Sequence, residues 1–234
     1  MIEKPTLILV PGLLCTVDLW RDQIAAFENH YTIMVADHTT DDRMPAIAAR
    51  LLAAAPPTFA LAGLSMGGYI ALEVMRQAAE RVTHLAIMDS RAINDTPVER
   101  QRRQDFITLV ERGKTFKGVT ETLLPLLVHP SRLTDAVLTK RIYKMAEDIG
   151  KEAFIRQERA LLEREELTGI LKDIRCPTLV LAGAQDTLIP PRVQREMAIE
   201  IPTAVYTEVS NSGHLPTMER PEETTKIMRT WLAR

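Results

Sequence analysis

Three residues, far apart in the chain, have the chemistry of a nucleophile, a base and an acid: Ser65, His214 and Asp186. Ser65 stands in Gly63-Leu64-Ser65-Met66-Gly67. Phe59 to Leu64 reads as a strand and the residues from Gly67 onward as a helix, so the serine falls on a sharp strand-to-helix turn. Such a turn strains the nucleophile's backbone and demands small residues two before and two after it, here Gly63 and Gly67. It also aims the positive end of the next helix at the serine. A free hydroxyl is a weak nucleophile and needs a base. Of the five histidines, His30, His38, His84 and His129 read as loop, strand or packing residues. His214, in Asn211-Ser212-Gly213-His214, lies between the last strand and the last helix. The base in turn needs an acid to hold its tautomer. Asp186, in Gly183-Ala184-Gln185-Asp186, follows the fifth strand. Asp89, at the end of the fourth strand, is its rival, while Asp37 reads as structural. Acyl transfer through a serine builds an oxyanion that requires two fixed donors. The N–H of Met66 is one candidate. The N–H of Leu13, in Pro11-Gly12-Leu13-Leu14, is the other, with Leu14 as its neighbour. Gly12 lets that backbone turn in tightly.

These residues must be carried by elements that bring them to one place. Short apolar runs, Thr6–Val10, Thr32–Asp37, Phe59–Leu64, His84–Met88, Thr178–Ala182 and Ala204–Val209, predict six strands. They are near-continuously apolar, as strands buried on both faces are. Helical patterns at 18–27, 45–55, 67–79, 191–200 and 221–232 alternate with them, with Pro221 at a first-turn position. The alternation predicts an α/β fold with a mostly parallel sheet flanked by helices. In such a sheet the loops leaving the carboxyl ends of the strands gather at one edge, which is how Ser65, Asp186 and His214 can meet. Between the fourth and fifth strands the rhythm breaks. Residues 91–172 are charged and helical in pattern and read as a cap insertion, with 1–90 and 173–234 as the core. The apolar run Leu123–Val128 could line a cavity or simply pack a cap helix.

The 234 residues carry a formal net charge of −2, which argues against nucleic acid or an anionic membrane as the main partner. The two cysteines, Cys15 and Cys176, form no ligand or redox motif, and Cys15 reads as packing beside the oxyanion loop. No apolar stretch reaches the roughly 20 residues of a membrane span, and the start of the chain has no basic-then-apolar leader pattern. The chain reads as cytoplasmic, acting on a small acyl substrate.

Taken together, Leu9-Val10-Pro11-Gly12-Leu13-Leu14, Gly63-Leu64-Ser65-Met66-Gly67-Gly68, Ala182-Gly183-Ala184-Gln185-Asp186 and Ser212-Gly213-His214 resemble the landmark motifs of the α/β-hydrolase superfamily, in order and over nearly the whole chain. The resemblance implies the α/β-hydrolase fold, a triad of Ser65, Asp186 and His214, an oxyanion hole at Leu13 and Met66, no cofactor and a helical cap at 91–172. Three departures carry consequences. Pro11 stands where most relatives have His, which implies the loss of a hydrogen bond supporting the loop. The segment Asp37–Asp42 is short, which implies a more open rim. The family's first two antiparallel strands have no counterpart.

Ser rather than Asp at the turn implies acyl-enzyme chemistry on a carboxylic ester, thioester or lactone, similar to small bacterial carboxylesterases and enol-lactonases. The alternative is a carbon–carbon bond hydrolase or lyase-like relative, whose substrate carboxylates would be gripped by Arg91, Arg102 or Arg103. Those arginines read more simply as solvated charge on the cap. A binding protein on a retired scaffold is a third reading, against which the complete triad speaks.

Overall fold

The structure is a computed structural model that describes residues 4–113, 116 and 118–234. Its centre is one sheet of six strands, all parallel, in the order β2-β1-β3-β4-β5-β6. The strands are β1 (Thr6–Val10), β2 (Thr32–Val35), β3 (Phe59–Leu64), β4 (Val82–Met88), β5 (Thr178–Gly183) and β6 (Ala204–Val209). The middle strands β3 and β5 are buried at every residue, whereas the edge strands β2 and β6 are largely half-exposed. That difference follows from helices covering both faces, and it explains why the interior strands read as unbroken apolar runs.

The helices are α1 (Arg21–Phe27), α2 (Met44–Ala54), α3 (Met66–Ala78), α4 (Pro97–Arg112), α5 (Leu124–Leu127), α6 (Ala136–Leu162), α7 (Pro191–Ile199), α8 (Pro216–Glu219) and α9 (Pro221–Leu232). The strand expected to end at Asp37 ends at Val35. Asp37 instead accepts hydrogen bonds from Thr39 and Thr40 and closes a turn, so it is the structural residue its position suggested. α8, one turn long, has no sequence signature of its own.

Residues 91–172 hold α4, α5 and α6 and no strand among the described residues. α4 begins with a reciprocal cap: Thr96 Oγ1 accepts from the Glu99 N–H and Glu99 accepts from the Thr96 N–H. α6 is bent at Gly150, where φ is 72°. Its first half packs Leu138, Ile142 and Met145 into the same apolar cluster as Leu9, Leu64 and Met88 of the sheet. Ala160 and Leu161, at its far end, join the cluster on the other face with Ile8, Tyr69 and Ile70. This segment thus buries apolar surface against both faces of the sheet. Leu124 and Val128 belong to the first cluster, so the run Leu123–Val128 serves mainly as packing. No helix among the described residues is long and apolar enough to cross a membrane.

Candidate active site

Ser65 occupies the single residue between β3 and α3. Its backbone is in the left-handed region, φ 55° and ψ −114°, a conformation costly for a residue with a Cβ. What holds it there is visible in its surroundings. Its N–H donates to Met88 O at 2.8 Å, and its carbonyl accepts from the Ser90 hydroxyl at 2.8 Å and the Gly68 N–H at 2.9 Å. The turn is possible only because its flanks lack side chains. A Cβ on Gly63 would lie 2.0 Å from Gly67 O, and one on Gly67 would lie 2.1 Å from Val10 O. The hydroxyl bearer itself is half-exposed, with β3 behind it entirely buried.

The loops after β5 and β6 come together beside it. His214 Nδ1 and Asp186 Oδ2 are 2.8 Å apart, and both residues are buried. The other oxygen of Asp186 accepts from the N–H groups of Leu188 and Ile189, so the carboxylate is pinned before it meets the ring. With Nδ1 facing a carboxylate, the neutral ring carries its proton there and leaves Nε2 as the acceptor. Close approach of these loops again depends on a missing side chain, since a Cβ on Gly183 would sit 1.7 Å from Gly213 O. The His214 loop has its own clamp in Glu219. One Glu219 oxygen accepts from the N–H groups of Gly213 and Leu215 and from the Ser212 hydroxyl, and the other from the His129 N–H at 2.6 Å. Among the described residues no hydrogen bond joins Ser65 to His214, as is common before a substrate closes such a site.

Asp89, the rival acid, also sits here: ligand atoms of Asp89, Asp186 and His214 all lie within 4.8 Å of one another. It plays a different part. One oxygen accepts from the Gly183 N–H at 2.8 Å, bracing the end of β5, and the other has no partner. Burial first, and then the neighbouring Asp186 charge, push its carboxyl well above the usual range. His214 is engaged by Asp186, not by Asp89.

The loop after β1 supplies the facing wall. Gly12 lies against Ser65, since a Cβ there would meet Ser65 Cβ at 3.4 Å. The Cys15 N–H closes a turn on Gly12 O at 3.1 Å, and Leu14 takes a left-handed φ of 60°. Within this turn the Leu14 N–H donates to Gln157 Oε1 at 3.2 Å, and the Leu13 carbonyl accepts from the Cys15 thiol at 3.4 Å. The Leu13 N–H has no acceptor among the described residues, nor does the Met66 N–H at the start of α3. Burial pushes the Cys15 thiol up to about 12, so it packs beside this loop as an inert neutral group.

Two expectations are corrected here. The lost support implied by Pro11 is made good by His38, whose Nε2 is 2.9 Å from Gly12 O. His38 is buried, and burial holds its ring below the usual histidine range, so it acts as a neutral donor. It is a support for the site rather than a bland loop residue. The rim beside the short Asp37–Asp42 segment is also bridged: Arg156 of α6 donates to Thr39 O at 2.7 Å. His30 is exposed, His84 packs edge-on to Trp231, and the His129 ring bonds Ser131, as their bland readings anticipated.

Two of the three arginines, Arg91 and Arg103, are placed differently from both readings made of them. Arg91 bonds Asp95 and Glu99, and Arg103 bonds Asp95 and Glu158, with Arg164 completing the cluster on Asp95. Arg91 is buried, not solvated. Arg102 alone is exposed. The nitrogens of Arg91 and Arg103 in these pairs are committed to protein carboxylates rather than to a substrate's. A cleft between α2, α3 and the segment after α6 is lined by Arg91 and Arg164, but neither Ser65 nor His214 lines it.

Comparison with known proteins places this geometry. The profile of the alpha/beta hydrolase family matches residues 7–227. The chain belongs to the alpha/beta hydrolase family. Among solved structures, an esterase from Thermogutta terrifontis superposes with a TM-score of 0.89 at 27% identity, covering 99% of this chain and 90% of that one. The enol-lactonase from Burkholderia xenovorans LB400 reaches a TM-score of 0.89 at 20% identity, over 99% of this chain and 92% of that one. A Serratia proteamaculans protein named "Putative carbamate hydrolase RutD" is 25% identical over 97% of this chain and 91% of its own length. This family member is a hydrolase in its fold and its kinship. Sequence reasoning missed Glu219, Ser90, His38 and Gln157. Ser90, His38 and Gln157 act through contacts distant in sequence, Glu219 mainly through its own loop, and none sits in a motif that announces it.

Proposed function

We propose that the protein hydrolyses a carboxylic ester, thioester or lactone through an acyl-enzyme on Ser65. The observation that carries this reading is a strained Ser65 turn and a buried His214–Asp186 pair, each on a loop leaving the carboxyl end of a strand of one parallel sheet. The hydroxyl oxygen of Ser65 attacks the acyl carbon while His214 Nε2 takes its proton. The carbonyl oxygen becomes an oxyanion, received by the N–H groups of Leu13 and Met66. The C–O or C–S bond to the leaving group breaks, and His214 returns the proton to that group. Water, activated by the same nitrogen, then attacks the acyl-enzyme and frees the acid and Ser65. Asp186 holds the ring in place and steadies the imidazolium. Similarity to an esterase and to a relative named as a putative carbamate hydrolase supports the class. The carbon–carbon alternative leaned on cap arginines, of which Arg91 and Arg103 are engaged elsewhere.

A fluorophosphonate probe tests the reading. Native protein is expected to label on one serine, and Ser65→Ala, with unchanged circular dichroism, to lose both the label and turnover of p-nitrophenyl esters. Native protein that neither labels nor turns over esters and lactones would sink it.

A further inference from the structure

The second half of α6 places two adjacent polar side chains over the loops that wall the site. Arg156 reaches Thr39 O, next to His38, and Gln157 reaches the Leu14 N–H, next to Leu13. Gln157 has no exposed surface at all. The orientation of its amide follows from its partner: Leu14 offers an N–H, so the oxygen must face it and the NH2 group must point the other way. That NH2 group is buried and has no acceptor among the described residues. A buried donor left unmade costs about 1–3 kcal/mol, and a leucine or methionine of similar length, set among neighbours such as Phe154 and Ala160, would avoid that cost. A glutamine here is accounted for if something that enters the site accepts the bond.

The strand order says which part of a substrate that is. Gln157 stands over the loop after β1, on one side of Ser65, whereas His214 arrives from beyond β5 and β6 on the other. His214 hands its proton to the leaving group, so the leaving group lies toward His214, and the substrate atoms nearest the Gln157 side are the carbonyl at the oxyanion loop and the acyl atoms next to it.

We propose that Gln157 is an acyl-group specificity residue: its oxygen anchors the oxyanion loop through Leu14, and its NH2 group donates to an oxygen acceptor borne by the acyl group close to the reacting carbonyl. The favoured substrates are then acyl groups with an ether, keto or carboxyl oxygen near the carbonyl carbon, such as α-alkoxy esters, α-keto esters or half-esters of dicarboxylic acids. This assignment rests on the acyl-enzyme reading of Ser65.

The test compares p-nitrophenyl methoxyacetate with p-nitrophenyl butyrate, which differ by an oxygen in place of a methylene. Intrinsic reactivity differs between the two esters but cancels when the ratio of their kcat/KM values is compared across variants of the full chain. In Gln157→Met the ratio is expected to fall about tenfold, the worth of one neutral hydrogen bond. Gln157→Glu keeps an acceptor for Leu14 while removing the donor at alkaline pH, and is expected to show the same fall there, mainly in KM. It also serves if the methionine variant does not fold. A ratio within twofold of the native value in the folded variants, alongside normal butyrate turnover by the native protein, would overturn the assignment alone. No turnover of either ester by native protein that does label with the fluorophosphonate would overturn this assignment alone, and no turnover together with no labelling would overturn the reading of Ser65 with it.

Discussion

The loops at the carboxyl edge of the sheet and the charged cap contain similar side chains and use them in opposite ways. At the sheet edge the polar groups Ser65, His214, Leu13 N–H and Met66 N–H each retain an open valence toward the site. Their supports, Asp186, Glu219, His38 and Ser90, are fully engaged in holding them. Between β4 and β5, the charged groups of Arg91, Arg103, Arg164, Asp95, Glu99 and Glu158 pair with one another, leaving Arg91 Nε as a buried donor without a partner. The lesson is that charge density does not mark a site. What sets the sheet edge apart is a set of groups with complementary acid, base and donor chemistry gathered on loops that other residues brace.

The sharpest way to break this comparison is at the two carboxylates of the sheet edge. Asp186→Asn keeps the shape but removes the charge that fixes the His214 tautomer. It is expected to lower kcat by about 10⁴-fold, by analogy with the triad acid of a serine protease, in a steady-state ester assay. A loss under tenfold would show that Asp89, not Asp186, serves His214.

In the cap, the prediction concerns stability. Asp95→Ala leaves Arg91, Arg103 and Arg164 without their shared partner and is expected to cost about 3 kcal/mol in urea unfolding. The same cluster gives a pH dependence. Burial alone would raise the Asp95 carboxyl, but Arg164 and Arg103 overcome this and hold it well below its ordinary value near 3.9. A depressed carboxyl contributes stability that is present above that ordinary value and lost as pH falls below it. Native protein should therefore lose stability below about pH 4 more steeply than Asp95→Asn, as followed by circular dichroism during acid titration. Parallel acid curves would mean that the ion cluster contributes nothing to folding.

A smaller effect is expected at His38. His38→Leu removes the donor to Gly12 O and should lower kcat about tenfold through a loosened oxyanion loop, with labelling of Ser65 retained. Unchanged kcat would make His38 a packing residue only. Smallest of all is Asp89→Asn. The carboxyl is pushed toward its neutral form, the amide oxygen can still accept from the Gly183 N–H, and Asn tolerates the φ of 44° found there. Turnover should stay within roughly threefold of native, well under 1 kcal/mol.

Much of this was legible along the chain. Gly63 and Gly67 around a serine between an apolar run and a helical pattern declare a turn: the contacts that exclude a Cβ at Gly63 are local, with Gly67 and Gly68, whereas those at Gly67 come from Val10 and Pro11 across the sheet. The interior strands were readable because burial on both faces erases polar alternation. The order of Ser65, Asp186 and His214, each after a strand, put them at one edge before any coordinates did. The stretch without strands between β4 and β5 was readable from its charged, helical pattern, but the placement of Arg91 and Arg103 was not. Nothing local distinguishes an arginine in solvent from one forked onto a carboxylate such as Asp95 or Glu158.

By itself, then, the sequence determined the alternation of strands and helices, the position of the strained serine and which acids and bases follow strands, because those depend on short-range sterics and hydrophobic pattern. The tertiary structure alone decided which carboxylate meets His214, how His38 replaces a support that Pro11 cannot provide, and that Gln157 reaches the oxyanion loop from 143 residues away. Hydrogen bonds of that kind join groups that only the packed sheet and cap bring within 3 Å or so, and no periodicity in the chain encodes them.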